Sequence, residues 1–203
     1  MYKSLARGKT KVAVDGGVRF FINSKTKPDL VIGDFDSTSL SPAQISRKYP
    51  KAELIEYPTH KDRTDSQLAL ETVIDRGAKI IDIIQPSLGE LDHLLGNLML
   101  LELVNRKNRS ESKRGLVEAR LLGRNYEARL IEDQSIKITD RIGHRLSIIP
   151  LSKRARLSCS GVSYPVSGLT IRRGESRSLR NLVTNKTAEV TVRGTGFLIL
   201  LKP

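Results

Sequence analysis

The stretch that decides the fold is residues 28–37, which read PDLVIGDFDS. Residues 30–32 are a short apolar run that predicts a buried strand, and Gly33 allows the backbone to turn where that strand ends. In open α/β sheets, ligands bind in the crevice beyond the carboxyl ends of the strands. We therefore expect Asp34 and Asp36 to stand at such a crevice.

This acidic pair predicts a particular kind of ligand. Two carboxylates held so close repel each other unless a cation lies between them. Mg²⁺ is a hard cation that binds one or two carboxylates together with substrate phosphates. The stretch therefore indicates a metal and phosphate site, and the alternative is an acidic turn that lies in solvent after a strand.

The same pattern occurs upstream, where residues 11–17 read KVAVDGG and place Asp15 at the end of another apolar strand. The nearby Gly8-Lys9-Thr10 is similar to the end of a Walker loop, but that motif requires a glycine where Lys3 stands. The chain also has no G-x-G-x-x-G motif. A nucleotide must therefore be held by other means.

The segments that follow alternate between helix and strand signals. A Ser-Pro pair predicts a helix over residues 41–49, since serine is a favoured N-cap and proline fits the first helical position. Residues 52–57 predict a third strand, followed by the polar cluster HKDRTD at 60–65 and a helix that ends at Gly77. The last two residues of that cluster are candidate N-caps, and an N-cap position remains compatible with phosphate contact because helix N-termini favour anions.

The next strand and helix carry a further polar pair. Residues 79–84 are almost continuously apolar, which is typical of a strand covered on both faces. The segment QPSLGELDH then ends in Asp92 and His93 at the start of an apolar-periodic helix over residues 94–103. Such a pair most commonly caps the N-terminus of its helix. The functional alternative is that both side chains face the carboxyl ends of the strands.

The rest of the chain changes in character. Residues 105–114 predict an exposed loop and residues 115–122 one more strand. The alternation of strand and helix signals up to this point indicates an α/β parallel sheet with crossover helices. We place a domain boundary near residue 124. Residues 125–203 then show short alternating runs without helical period, typical of an all-β sandwich or barrel; the runs are 128–131, 135–138, 145–149, 168–171, 188–192 and 197–201.

Composition narrows the class of protein. The chain has 203 residues, a net charge of +13 and a single cysteine, Cys159, so no internal disulfide can form. The first residues contain no apolar block of the kind found in signal peptides, and no apolar run approaches about 20 residues. We therefore expect a soluble, cytoplasmic protein. Aromatic residues make up 4% of the chain and are not interleaved with the basic clusters, as base-stacking surfaces require. We therefore expect no nucleic-acid partner. We interpret the positive charge as a solvated surface that attracts a polyphosphate substrate.

Several motifs in this order resemble the thiamine pyrophosphokinase family. The resemblance extends over nearly the whole chain, and it is carried by VDGGV at 14–18, PDLVIGDFDS at 28–37, KDRTD at 61–65, LDH at 91–93 with Asn97-Leu98, and the tail segments 143–151, 161–165, Gly174 and Asn181. It implies transfer of the terminal pyrophosphate of ATP to the hydroxyethyl oxygen of thiamine with Mg²⁺. It also implies an α/β domain joined to a β-sandwich, and homodimers with sites at the subunit interface.

Carried over position by position, the resemblance implies roles for particular residues. The implied catalytic residues are Asp34, Asp36, Thr64 and Asp65, and the implied metal ligands are Asp34, Asp36 and Asp65. The implied ATP and phosphate ligands are Asp15, Gly16, Ser37, Lys61, Asp62 and Arg63, and the implied thiamine ligands are Asp92, His93, Asn97, Arg180 and Asn181. Lys61 or Arg63 would offset charge on the transferred group, and one carboxylate would accept the alcohol proton.

The chain departs from the family pattern at the acceptor side. Glu90 stands where the family has an arginine, Arg180 stands where it has a serine, and there is no tryptophan to stack on a substrate. Only ten residues precede the segment 11–17 that ends in Asp-Gly-Gly, so we expect either that the first strand-loop unit is missing or that the true start lies upstream. These departures leave open a pyrophosphokinase for another heterocyclic alcohol, such as a hydroxymethylpterin, or a family member that has lost catalysis and kept a binding role.

Overall fold

The computed structural model describes residues 5–85, 90–110 and 115–203. By spatial proximity the chain forms two compact units, Met1–Gly77 and Ala78–Pro203. Each unit has its own sheet and its own apolar core.

The first unit is a parallel sheet with crossover helices. Its strands pair in the order β1-β2-β3, and all the pairings are parallel. The elements in chain order are β1 (Val12–Val14), α1 (Val18–Ser24), β2 (Leu30–Gly33), α2 (Pro42–Lys48), β3 (Glu53–Glu56) and α3 (Asp65–Asp75). The predicted buried strand after Asp29 is confirmed, since every residue of β2 is buried.

Helix α2 begins where the sequence predicts. The Ser41 hydroxyl accepts a hydrogen bond from Gln44 N at 3.3 Å, and Ser41 N donates to Gln44 Oε1 at 2.8 Å, which completes a capping box. Pro42 occupies the first helical position, where its missing N–H costs nothing. The helix buries Ile45 against Val31 and Phe35 in the core of the first unit.

The second unit begins with a parallel pair and continues as an antiparallel sheet. Strand β4 pairs in parallel with β5, and β5 pairs antiparallel with β6. The strands hydrogen-bond in the order β10-β7-β11-β6-β5-β4, while β8 pairs with β11 and β9 with β8. The elements are β4 (Ile80–Ile84), α4 (Leu91–Ser110), β5 (Glu118–Leu122), β6 (Tyr126–Thr139), β7 (Arg145–Pro150), β8 (Arg154–Ser160), β9 (Val166–Arg172), β10 (Asn181–Leu182) and β11 (Thr187–Leu201).

Two long strands organise this unit. Strands β6 and β11 pair along most of their length, with an irregularity between Val192 and Thr195. Before the irregularity β11 also pairs with β8, and after it with β7. The predicted antiparallel character is confirmed, but the runs predicted as separate strands at 128–138 and 188–201 are continuous, because a bulge interrupts the side-chain alternation without ending the pairing.

Three further predictions are corrected. Residues 105–110 belong to α4 and are not a loop, because Asn108 exchanges two 2.9 Å hydrogen bonds with the backbone of Val117. Strand β8 is absent from the predicted runs, because two of its three buried residues, Ala155 and Cys159, are small and give a weak apolar signal. Strand β4 is not covered on both faces, since Ile80 is 64% exposed and Ile84 is 41% exposed.

Some predictions are not tested by these observations. The loop residues 111–114 and the segment 86–89 before Glu90 lie outside the described residues. The boundary near residue 124 stays a prediction, because compactness does not establish which segments fold or act as domains. Within the described part of the chain, no helix is both long and apolar enough to cross a membrane.

Candidate active site

The ends of β1 and β2 bring the first two acidic motifs together. Val14 is paired with Ile32 in the parallel register, so Asp15 and Gly33 follow at the same edge of the sheet. A Cβ atom on Gly33 would lie only 3.0 Å from Asp15 Cα. Glycine is therefore required at the end of β2, because it allows the backbone of Asp15 to approach.

Two residues of the site hold a backbone conformation that is unfavourable for side chains. Asp15 has φ 43° and Phe35 has φ 64°, both in the left-handed region. Such a conformation costs non-glycine residues about 1–2 kcal/mol and concentrates at functional sites. The Phe35 ring is buried in the core of the first unit, and this burial holds the turn between Asp34 and Asp36.

Three carboxylates converge at this turn. Oxygen atoms of Asp15, Asp34 and Asp36 lie within 4.8 Å of one another. Asp34 Oδ1 accepts a hydrogen bond from Asp36 N at 3.3 Å, and Ser37 Oγ donates to Asp36 Oδ1 at 3.0 Å. Asp15 Oδ1 is buried and has no hydrogen-bond partner. An unpartnered buried oxygen within a carboxylate set fits a hard divalent cation such as Mg²⁺.

The polar cluster that follows β3 contributes a cation and a further carboxylate. Lys61 Nζ lies 2.6 Å from Asp34 Oδ2 and 3.3 Å from Asp65 Oδ1. The side chains of Lys61, Asp34 and Asp65 are only 14%, 8% and 16% exposed. Asp65 Oδ1 has this ion-pair neighbour but no hydrogen bond of acceptable geometry. The site thus has four carboxyl groups and one ammonium group, which contacts two of them, and this leaves an excess of negative charge.

The pKa values of this group shift in opposite directions. The hydrogen bond from Lys61 lowers the pKa of Asp34. Burial raises the pKa of Asp65, and the charges of Asp34 and Asp15 add to the effect against the opposing pull of Lys61. Burial on its own lowers the pKa of Lys61, but its hydrogen bond to Asp34 and its close charge contact with Asp65 outweigh this, so the net shift is upward. The ammonium group therefore stays charged at neutral pH.

Other predicted residues of this cluster have more local contacts. Thr64 is the N-cap of α3, where its hydroxyl accepts a hydrogen bond from Gln67 N at 3.3 Å. Arg63 pairs with Glu71 at 2.8 Å, and Asp62 is exposed. Of the two cations that the sequence offers here, Lys61 is the one that contacts the carboxylate group.

Sequence reasoning missed Arg19. This residue of α1 donates a hydrogen bond from its guanidinium group to the backbone oxygen of Ser37. Gly16 lies beside the same serine, since a Cβ there would be 3.6 Å from Ser37 Cβ. The feature of the sequence that points to Arg19 is its position, as a basic residue on the helix that directly follows the Asp-Gly-Gly turn.

The predicted substrate ligands belong to the second unit. Glu90, Asp92 and His93 are exposed at the start of α4, and each has a ligand atom within 4.8 Å of the others. Asp92 Oδ1 accepts a hydrogen bond from His93 N at 2.7 Å. Asn97 donates to the buried side chain of Gln85, which follows β4. Asn97 therefore anchors the helix to the sheet.

Arg180 and Asn181 lie at the mouth of a small cavity of about 120 Å³. Asn181 makes paired hydrogen bonds with the backbone of Tyr164, at 3.0 and 2.7 Å. Arg180 has φ 61°, and its backbone N donates to Ser147 Oγ at 3.0 Å. Typical ligand pockets are roughly 300–1,000 Å³, so this cavity by itself fits only part of a small molecule.

The metal ligand set that the sequence predicts differs in one member from the group that converges. The prediction names Asp34, Asp36 and Asp65, whereas the oxygens within 4.8 Å of one another belong to Asp15, Asp34 and Asp36. Asp65 reaches this group through Lys61. The individual roles of these residues stay predictions.

Comparisons with known proteins agree in family. The family model described as thiamin pyrophosphokinase, catalytic domain, matches residues 2–111. The curated thiamine pyrophosphokinase of Bacillus subtilis (strain 168) is 26% identical over 194 residues, which cover 94% of this chain and 86% of that protein.

Solved structures show the same fold. The Bacillus subtilis thiamine pyrophosphokinase structure has a TM-score of 0.80 at 22% identity and covers 97% of this chain and 89% of that one. The Candida albicans thiamin pyrophosphokinase structure has a TM-score of 0.79 at 14% identity, with coverage of 100% and 84%. The likeness therefore includes the strands of both compact units.

Proposed function

The chain belongs to the thiamine pyrophosphokinase family, and from that premise we propose that it transfers pyrophosphate from ATP to thiamine, giving thiamine diphosphate and AMP. The observation that carries the proposal is the group of converging carboxylates around Asp34, with Lys61 among them. Phosphoryl-type transfer depends mainly on positioning and on neutralising charge. A set of carboxylates that recruits a divalent cation is suited to that task.

We propose Mg²⁺ as the cation. Asp15, Asp34 and Asp36 would hold it, because their oxygens converge and Asp15 Oδ1 has no other partner. When bound, the ion would neutralise charge on the phosphate oxygens of ATP. Lys61 would supply a second positive charge from the protein itself.

The reaction that we propose balances as a single displacement. The hydroxyethyl oxygen of thiamine bonds to the β-phosphorus of ATP, and the bond between that phosphorus and the α,β-bridging oxygen breaks. AMP leaves with the bridging oxygen, and the alcohol proton passes to a carboxylate. Asp65 is the candidate acceptor, because its raised pKa moves its basicity toward neutrality.

We propose that residues of the second unit bind thiamine, the acceptor of the pyrophosphate group. Tyr164, Leu179 and Leu182 are 73%, 44% and 39% exposed beside the small cavity near Arg180 and Asn181. An exposed ring with apolar neighbours suits a flat heterocycle. Together with the family resemblance, this supports thiamine binding near Arg180 and Asn181. On the resemblance alone we also propose Asp92, His93 and Asn97 as thiamine ligands, and a cytoplasmic homodimer whose subunit interface contributes to the site.

The test is substrate-dependent AMP formation. Purified protein is incubated with ATP, Mg²⁺ and either thiamine or a hydroxymethylpterin, and AMP and the diphosphate ester are separated by chromatography. We expect stoichiometric AMP and thiamine diphosphate with thiamine and no product with the pterin. AMP formation with the pterin but not with thiamine would show that the pterin is the acceptor. A folded protein that is inactive with both would indicate a family member without catalysis.

A further inference from the structure

The outer face of the sheet in the second unit gathers four guanidinium groups. Arg156 on β8 lies directly opposite Arg193 on β11, and Arg154 on β8 lies opposite Arg172 on β9. All four residues are exposed. Side chains directly opposite in an antiparallel pair share one face, with Cβ atoms about 4.5–5.5 Å apart. These four residues, which we call the arginine face, therefore form one surface across three strands.

The charges of the arginine face are not neutralised by the protein. Within the part of the chain that the structure describes, no carboxylate forms an ion pair with Arg154, Arg156 or Arg172. Arg193 donates to the backbone oxygen of Asp133 at 3.2 Å. Like charges directly opposite in a sheet are destabilising. The side chains reduce this repulsion by extending apart, Arg156 over Gly168 on β9 and Arg193 toward Asp133 on β6, and their charges stay exposed to a bound anion.

The surroundings increase the positive charge. Lys153 and Arg173 are exposed in the turns beside the arginine face, and Arg173 N donates to Lys153 O at 3.3 Å. Two nearby acids are Glu175, which accepts a hydrogen bond from Arg172 N at 3.0 Å, and Asp133, which accepts one from Gly194 N at 2.7 Å. A third acid on this face of the sheet, Glu189, lies opposite Lys137. The basic side chains around the arginine face therefore still outnumber the acidic ones.

The rest of this face is rich in hydroxyl groups. Thr170 lies opposite Arg156, and Thr191 lies between Ser158 and Ser135 in the next row. Arg156 extends over Gly168, where a Cβ would lie 2.7 Å from its guanidinium nitrogens. None of the large exposed apolar residues of the described chain lies in these rows. The face therefore offers charge and hydroxyl donors, with neither the anchors of a membrane site nor the aromatic rings on which single strands stack.

We propose that the arginine face binds the phosphate backbone of double-stranded nucleic acid without reading its bases. A duplex presents about one negative charge per 1.7 Å of axis, so guanidinium groups spread over three neighbouring strands can contact several phosphates at once. Arginine forks match phosphate oxygens in a bidentate geometry. The sequence spreads the basic residues over the chain, and strand register collects them on one surface.

The experiment measures binding by the full chain to fluorescent duplexes of about 20 base pairs, one of DNA and one of RNA, by polarisation at several KCl concentrations. We expect micromolar affinity at low salt, with a log–log salt slope of about −3 to −4 for four phosphate contacts. A variant in which glutamine replaces all four residues Arg154, Arg156, Arg172 and Arg193 should bind at least tenfold more weakly. Its salt slope should be close to zero. The tighter-bound duplex identifies which nucleic acid is the source of the phosphates.

The matched control removes the same charge from the first unit, by substituting glutamine for the exposed residues Lys27, Arg47, Lys48 and Lys51. That variant should bind within about threefold of the unmodified chain at the same salt concentration. An equal loss in the control would overturn the proposal, because net charge would then explain the binding. The proposal would also be overturned if the unmodified chain did not bind duplexes at low salt, or if it bound polyphosphate or anionic vesicles but not duplexes.

A second set of variants covers the case in which the fourfold substitution unfolds the protein. Arg156→Gln alone, and Arg154→Gln with Arg172→Gln, should each reduce the affinity and the salt slope in proportion to the charges removed. Because like-charge repulsion is removed, these variants should melt at the same or a higher temperature than wild type at low salt. Unchanged affinity in well-folded variants would contradict the proposal.

Discussion

Asp34 and Asp36 are brought to one edge by the residue between them. Phe35 is buried and holds a left-handed backbone conformation, so the two carboxylates turn toward Asp15 instead of alternating as in a strand. The sequence shows two acids one residue apart, but it does not show this turn. A strained residue that is held by core packing is typical of sites where geometry matters more than local stability.

Asp36→Asn tests the acidic group directly. The substitution keeps the size of the side chain and removes one charge from an exposed position, so we expect turnover in the thiamine assay to fall at least 100-fold while the melting temperature stays within about 2 °C. Asp140→Asn, at an exposed position in the second unit, is the matched control and should keep near-normal turnover. A near-normal rate for Asp36→Asn would remove this carboxylate from the mechanism.

Lys61→Met tests the ion pair through the pH dependence of stability. The folded pKa of Asp34 is lowered, so the pair stabilises the fold above the ordinary aspartate pKa of about 4, and this stabilisation is lost as pH falls through the folded value. The raised pKa of Lys61 extends the stable window upward to about pH 10. We expect the variant to be less stable by about 2 kcal/mol at pH 7, with a smaller difference at pH 3, below the ordinary aspartate pKa.

Urea unfolding at pH 3, 5 and 7 measures that difference. Lys11→Met is the control, since Lys11 pairs with Asp29 at 2.7 Å at a more exposed position, where such pairs contribute about 0–1 kcal/mol. An equal effect of the two substitutions, or an effect of Lys61→Met that does not change with pH, would contradict this account of the buried pair.

At the scale of elements, the contact between the ends of β1 and β2 forms the candidate site. Gly33→Ala would place a Cβ about 3.0 Å from Asp15 Cα, which forces one backbone to move. Gly17→Ala meets nothing within 4 Å and needs no unusual φ. We expect Gly33→Ala to lose about 1–3 kcal/mol of stability and most of its activity, whereas Gly17→Ala stays close to wild type in both.

Mn²⁺ binding followed by electron paramagnetic resonance gives a readout of this prediction that is separate from turnover. Displacement of Asp15 should weaken nucleotide-free Mn²⁺ binding in Gly33→Ala but not in Gly17→Ala. If the two variants bind Mn²⁺ equally and are equally stable, the close approach of the strand ends does not organise the carboxylates.

The second unit shows how elements depend on distant partners. The polar residues near the end of α4 predict a loop, yet Asn105 donates to Glu132 at 2.7 Å and Asn108 pairs with the backbone of Val117. These contacts reach from the helix to β6 and to the segment before β5. The helix therefore continues because of tertiary hydrogen bonds that a local reading of the sequence cannot supply.

At the scale of the whole molecule, the boundary between domains can be tested by expressing segments. Leu101, Leu121, Ala128 and Phe197 form one buried cluster, which joins α4 and β5 to β6 and β11. We expect residues 78–203 alone to unfold cooperatively. Residues 125–203 should be less stable by several kcal/mol, because Phe197 and Ala128 lose their partners. Equal stability of the two segments would support an independent domain that begins at residue 125.

The sequence by itself determined several elements of the first unit and the chemical types of residue at the site. Apolar runs, caps and glycines act over a few neighbouring residues, so β2, the capping box of α2 and the Thr64 cap could all be predicted. The acidic motifs also indicated a cation and phosphates before any geometry was known.

Only the tertiary structure decided which side chains meet. The ion pair between Lys61 and Asp34, the unpartnered oxygen of Asp15 and the opposition of Arg156 to Arg193 join residues that are far apart in the chain. Such contacts depend on strand register and on the packing of whole elements. Local sequence patterns do not specify them, because the energies that fix register are summed over many distant contacts.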